Sequence, residues 1–156
     1  MIPAVGQSAP EFALYNTDKN KIQLSALRGQ NVLLLFFPQA FTRVCTHELC
    51  SIRDNIALYE KANARVFGIS VDSVYTLAKY RELYGFNFTL LSDFNKDASA
   101  AYGALYETWS LEMKGVSKRS AFVIDKEGNV RYAEVLENAG EEPNYTSINA
   151  LLEGLH

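Results

Sequence analysis

Apolar positions along the chain fall into short runs separated by polar turns, and the spacing inside each run distinguishes strand from helix. Residues 31–37 carry the unbroken apolar series Val32 to Phe37 and end at Pro38, as a strand buried on both faces does. From residue 43 to residue 63 the period changes. Cys45, Leu49, Ile52, Ile56 and Tyr59 recur at helical spacing, within roughly 40° of one line on a wheel of about 100° per residue. That predicts one long amphipathic helix over 43–63, with Cys45 in its first turn. A strand over 64–71 follows, then a helix from Ser73, a suitable N-cap, to Tyr84, closed by Gly85. A short strand at 88–91 and a short helix at 96–102 complete the middle of the chain.

Paired strands are expected at both ends. Residues 11–15 and 21–24 flank the polar turn Asn16-Thr17-Asp18-Lys19-Asn20, an N-terminal hairpin, and 120–124 and 130–136 flank Asp125-Lys126-Glu127-Gly128-Asn129. The last helix is predicted over 145–155. The order β-β, β-α-β-α-β-α, β-β-α implies an α/β fold of thioredoxin-like architecture: a mixed central sheet with helices on both faces and an N-terminal β-hairpin. No repeat or linker-like tract interrupts the sequence, so 1–156 reads as one domain. A domain of that size buries roughly 70% of the surface its unfolded chain exposes, so its core needs no disulfide framework.

Charge narrows the partners. A formal net charge of -3, with basic residues spread along the chain, leaves no electrostatic footprint for nucleic acid or an anionic membrane. Residues 1–6 lack the basic start and apolar core of a signal peptide, and no apolar run reaches the length of a membrane span. The expectation is a soluble, cytoplasmic chain whose thiols are kept reduced. Cys45 and Cys50 are its two cysteines. Their closeness makes a permanent staple pointless and directs attention to their chemistry.

The segment Pro38-Gln39-Ala40-Phe41-Thr42-Arg43-Val44-Cys45 lies between the buried strand and the long helix. It matches the P-x-x-x-T-x-x-C signature at Pro38, Thr42 and Cys45, and by it the chain resembles the peroxiredoxins. The resemblance implies a thiol peroxidase acting through Cys45. The thiolate is the form that attacks a peroxide, and an ordinary cysteine is mostly protonated at neutral pH. A helix start, with its free N–H groups and its dipole, favours the anion. Thr42 can set a hydroxyl beside the sulfur and the incoming peroxide, and Pro38 can wall the pocket without an N–H. The plain alternatives are Cys45 as a small core residue on the apolar stripe and Thr42 as a helix cap.

A later segment, Lys118-Arg119-Ser120-Ala121-Phe122-Val123-Ile124-Asp125, resembles the strand that delivers the family's active-site arginine, here Arg119. A permanently charged, many-donor guanidinium can both favour the thiolate and stabilise the breaking O–O bond; the alternative is a surface arginine. Lys118 reads as solvated. Glu48 matches a family glutamate bonded into the arginine network, against the alternative of a solvated glutamate near a helix N-terminus. Trp109 resembles an aromatic position near the active site, and His47 reads as a surface histidine. A metal site is not expected, because Cys45, His47, Glu48 and Cys50 diverge around a helix.

The C-x-x-x-x-C spacing of Cys45 and Cys50 resembles the bacterioferritin-comigratory subgroup, where it marks a resolving cysteine. The segment Glu141-Glu142-Pro143-Asn144-Tyr145 looks closer to the one-cysteine alkyl hydroperoxide reductase E subgroup, which leaves Cys50 as resolving residue or bystander on the polar flank. Five residues of helix separate Cα atoms by about 8.7 Å, and a disulfide wants roughly 4.4 to 6.8 Å. Resolution by Cys50 therefore requires the first turns to unwind. The family further implies hydrogen peroxide or alkyl hydroperoxides as substrate, a thioredoxin- or glutaredoxin-like reductant, a homodimer, and no cofactor. The competing reading is a redox sensor or holdase using the same cysteine switch. A thiol-disulfide oxidoreductase is disfavoured by the missing C-x-x-C.

Overall fold

The structure is a computed structural model, and it describes residues 1–155; His156, the end of the expected domain, lies outside the described residues. Among the described residues the strands and helices follow the expected order, with one expected helix divided in two and two 3-10 turns added. The strands are β1 (Ala13–Asn16), β2 (Lys21–Gln23), β3 (Asn31–Phe36), β4 (Ala64–Ser70), β5 (Thr89–Ser92), β6 (Ser120–Ile124) and β7 (Val130–Val135). The helices are α1 (Arg43–Asp54), α2 (Ile56–Lys61), α3 (Val74–Tyr84), α4 (Asp97–Ala101) and α5 (Tyr145–Gly154), with 3-10 turns at Leu24–Leu27 and Ser110–Glu112.

The strands form one mixed sheet in the order β2-β1-β5-β4-β3-β6-β7. β3, β4 and β5 run parallel, and the remaining pairings are antiparallel. β3 is completely buried and its side chains divide between the two faces, as strand geometry requires. Leu33, Leu35 and then Phe37 meet α1, α2, α3 and α5 through Cys45, Leu49, Ile52, Tyr59, Leu77, Tyr80, Ile148 and Leu152. Val32, Leu34 and Phe36 face Phe12, Leu24, Leu27, Ala98 and Tyr102. The thioredoxin-like α/β fold, with helices on both faces and an N-terminal hairpin, is what the apolar pattern predicted.

The long helix expected over 43–63 is two helices. Asn55 stops α1 with φ -117° and ψ 18°, and its side chain donates to the Ser51 carbonyl. The apolar stripe hid the break because Ile56 and Tyr59 continue it in α2. β1 starts two residues later than expected. The Glu11 carboxylate instead accepts the Phe12 and Ser25 N–H groups, tying the chain entering the hairpin to the 3-10 turn. At α3 the expectation held: Ser73 accepts the Thr76 N–H, and Gly85 sits at φ 62° as the left-handed closing residue.

Candidate active site

β3 ends against the loop 37–42, which backbone and side-chain contacts fix. The Phe37 N–H donates to the Ile69 carbonyl at 2.9 Å. The Ala40 N–H donates to Asp72 Oδ2 at 2.8 Å, and Ser70 Oγ donates to the same oxygen at 2.6 Å. Phe41 adopts φ 69°, a left-handed conformation uncommon for a non-glycine residue, and its ring lies 4.8 Å from that of Tyr80. Pro38 is buried at the loop's start. Thr42 occupies the N-cap position of α1 without capping it through its side chain; its hydroxyl donates to the Gln39 carbonyl at 2.8 Å. The cap alternative therefore fails for the Thr42 hydroxyl, which closes the loop on itself.

The helical hydrogen-bond ladder begins with the Thr46 N–H on the Thr42 carbonyl. The N–H groups of Arg43, Val44 and Cys45 precede it, so the Cys45 sulfur sits in the first turn where the helix dipole is positive. Cys45 is 1% exposed. Arg119, immediately before β6, is buried beside it and spends its donors in three directions. Nη2 donates to Cys45 Sγ at 3.1 Å, Nη1 to Glu48 Oε1 at 2.7 Å and Nε to the Ala139 carbonyl at 3.0 Å. The surface alternative for Arg119 is thus excluded.

Glu48 lies in the arginine network, and the alternative of a solvated glutamate fails. It is fully buried on the inner side of α1, and its second oxygen accepts the Tyr145 hydroxyl at 2.6 Å. Tyr145, the first residue of α5, completes the set, and sequence reasoning missed it. The two members of the ion pair respond differently to their setting. Burial pushes the Glu48 carboxyl above the ordinary carboxylate value, outweighing Arg119 and the Tyr145 hydrogen bond. Burial opposes the Arg119 charge, but Glu48 and the neighbouring sulfur outweigh it and hold that group above its ordinary value. Burial and then the Glu48 charge raise Tyr145, which keeps it a donor.

An open cleft of about 540 Å³ leads to this group; Arg119, Thr42, Tyr106, Trp109 and the 137–140 segment are among its lining. Tyr106 and Trp109 stack with centroids 6.3 Å apart, so Trp109 lies at the cleft. Lys118 is not simply solvated: it pairs with Glu137 at 2.8 Å along the same rim. His47 points outward, as expected, and meets Glu142 at 3.0 Å. Cys50 is half-buried and packs against the core beneath α1 rather than standing on a polar flank. Both cysteines are free thiols on one continuous helix.

A sulfur at a helix start, touched by a guanidinium whose position is fixed by a buried carboxylate, can deliver an electron pair to a small polar substrate. The guanidinium can then stabilise the negative charge that passes to the substrate's departing oxygen. The chain belongs to the AhpC/TSA family, whose model matches residues 5–133. Alkyl hydroperoxide reductase E of Mycobacterium tuberculosis is 38% identical over 134 residues, covering 84% of each chain. Among solved structures, peroxidoxin BcpB of M. tuberculosis superposes with a TM-score of 0.86 at 29% identity, covering 99% of each chain. A peroxiredoxin-like protein of Aquifex aeolicus gives 0.90 at 27% identity, covering 100% of this chain and 90% of that one. The protein is a peroxiredoxin, a thiol peroxidase. These relatives lend no support to the sensor or holdase alternative. No helix among the described residues is long and apolar enough to cross a membrane.

Proposed function

We propose that Cys45 is the sulfur that attacks hydrogen peroxide or an alkyl hydroperoxide, and that Cys50 resolves the product. The observation that carries the reading is Arg119 joining Cys45 Sγ to the buried Glu48. In the first step the Cys45 thiolate forms an S–O bond to the distal peroxide oxygen and the O–O bond breaks. The departing alkoxide or hydroxide takes a proton and leaves as alcohol or water, and Cys45 becomes a sulfenic acid. Arg119 stabilises the charge as it moves from sulfur to the departing oxygen. Thr42 and Pro38 shape the loop that receives the substrate, and Glu48 keeps Arg119 aimed.

Cys50 then condenses with the sulfenic acid, forming the disulfide and releasing water, after α1 has unwound. A thioredoxin- or glutaredoxin-like dithiol restores both thiols by exchange. The aromatic lining from Tyr106 and Trp109 suits alkyl as well as hydrogen peroxide. No metal or other cofactor enters any step. A cytoplasmic location, one domain over 1–156 and a homodimer complete the reading.

Two variants test it by stopped flow and mass spectrometry. Arg119→Met lowers the rate of Cys45 oxidation by about 10²-fold, the usual cost of losing one such donor. Cys50→Ser leaves Cys45 oxidation intact, abolishes the Cys45–Cys50 disulfide and slows turnover with a dithiol donor. Unchanged turnover in Cys50→Ser would sink the resolving role, and a rate in wild type no faster than that of free cysteine would sink the assignment of Cys45.

A further inference from the structure

The resolving step, on the reading that Cys50 performs it, requires α1 to release its N-terminal turns, so whatever fastens those turns sets its rate. α1 is held at both ends. At its C-terminal end Arg53 donates to the Tyr84 carbonyl and Asn87 donates to the Arg53 carbonyl at 3.2 Å. At its N-terminal end, one residue beyond Cys45, the Thr46 hydroxyl meets the Tyr80 hydroxyl at 2.8 Å. Tyr80 is completely buried in α3, and its ring is gripped by Phe41, Phe86 and Tyr84 with centroids 4.8, 5.0 and 5.4 Å away. Tyr84 of α3 and Phe86 just after it hold the ring from their own side, so its position does not depend on α1 alone.

We propose that Tyr80 is a latch: its hydroxyl holds Thr46 and thereby slows the unwinding that brings Cys50 to the oxidised Cys45. Unwinding over 43–52 carries Thr46 away and breaks its hydrogen bond to Tyr80, and the loss of that bond opposes unwinding. The intact helix is favoured accordingly, and the sulfenic acid persists longer before Cys50 meets it. When it does, the Cys50 sulfur bonds to the Cys45 sulfur and the S–O bond breaks. The hydroxide leaves as water with the Cys50 proton. During the delay a second peroxide can carry the sulfenic acid on to sulfinic acid, so the latch also sets sensitivity to excess peroxide.

Tyr80→Phe keeps the ring and its aromatic neighbours while removing the hydroxyl. One neutral hydrogen bond of this kind shifts an equilibrium by roughly two- to tenfold. In Tyr80→Phe, Cys45 oxidation by one equivalent of peroxide keeps the wild-type rate. Formation of the Cys45–Cys50 disulfide, followed by acid quench and mass spectrometry, accelerates by that factor, and sulfinic acid at high peroxide falls. Thr46→Val does the same, and the double variant gains no more than either single one, as coupled partners require. A general loosening of the fold would instead move both steps. A disulfide step that is unchanged or slower in Tyr80→Phe overturns the latch.

Should wild type form no Cys45–Cys50 disulfide, the resolving role falls and the latch is judged on the reduced protein. Amide exchange over 43–52 that is faster in Tyr80→Phe sustains it as a lock on α1, and unchanged exchange overturns it.

Discussion

Glu48 shows how a single side chain couples a site to stability. Its oxygens are both used, by Arg119 and by Tyr145, yet burial still raises its proton affinity above the ordinary 4.5. A carboxyl of this kind binds more protons folded than unfolded between the two values, so its contribution is complete below the ordinary value and is lost as pH rises through the raised one. Urea unfolding of wild type and Glu48→Gln at a series of pH values rising from the ordinary 4.5 therefore shows the wild-type advantage shrinking with pH. A flat or growing difference would contradict the burial argument. At this scale the sequence was most informative where a motif was local. Pro38, Thr42 and Cys45 share one loop and could be read together, and Arg119 could be read from its strand. Tyr145 and the Ala139 carbonyl could not, because their meeting with Glu48 and Arg119 depends on the fold's long-range closure and leaves no spacing in the chain.

At the scale of elements, the break at Asn55 matters more than the length of the helix it interrupts. The stripe through Ile52, Ile56 and Tyr59 is continuous in sequence, which is why 43–63 reads as one helix; only the backbone at Asn55 reveals two. α2 is anchored independently, through Tyr59 in the core, and Arg53 ties the end of α1 to α3. Unwinding that starts at the oxidised Cys45 thus has a built-in stop near residue 53. Hydrogen exchange followed by mass spectrometry on the peroxide-treated protein is expected to show lost protection over 43–52 with α2 and α3 still protected. Exchange that spreads equally through α2 would mean that Asn55 does not bound the motion.

For the molecule as a whole, β3 is where the two cores and the site meet. Leu33 faces the helices that carry Cys45 and Glu48, and Leu34 faces the opposite layer with Phe12 and Tyr102. Both are completely buried, so truncating either to alanine removes similar apolar volume and costs about 2–5 kcal/mol. The apolar run that made β3 legible in the sequence could not say which residue serves which layer, because a strand buried on both faces has no polar side to orient it. The consequences for function should differ by layer. Leu34→Ala acts on the face away from α1 and is expected to lower stability while leaving the Cys45 oxidation rate of the folded protein near wild type. Leu33→Ala opens space under the core that positions Cys45, Leu49 and Ile52, and is expected to lower both. Denaturant midpoints and stopped-flow rates on the same preparations separate the two. Equal kinetic effects from the two variants would mean that the sheet transmits packing changes from layer to layer, and that the site is held by the whole molecule rather than by the helical face alone.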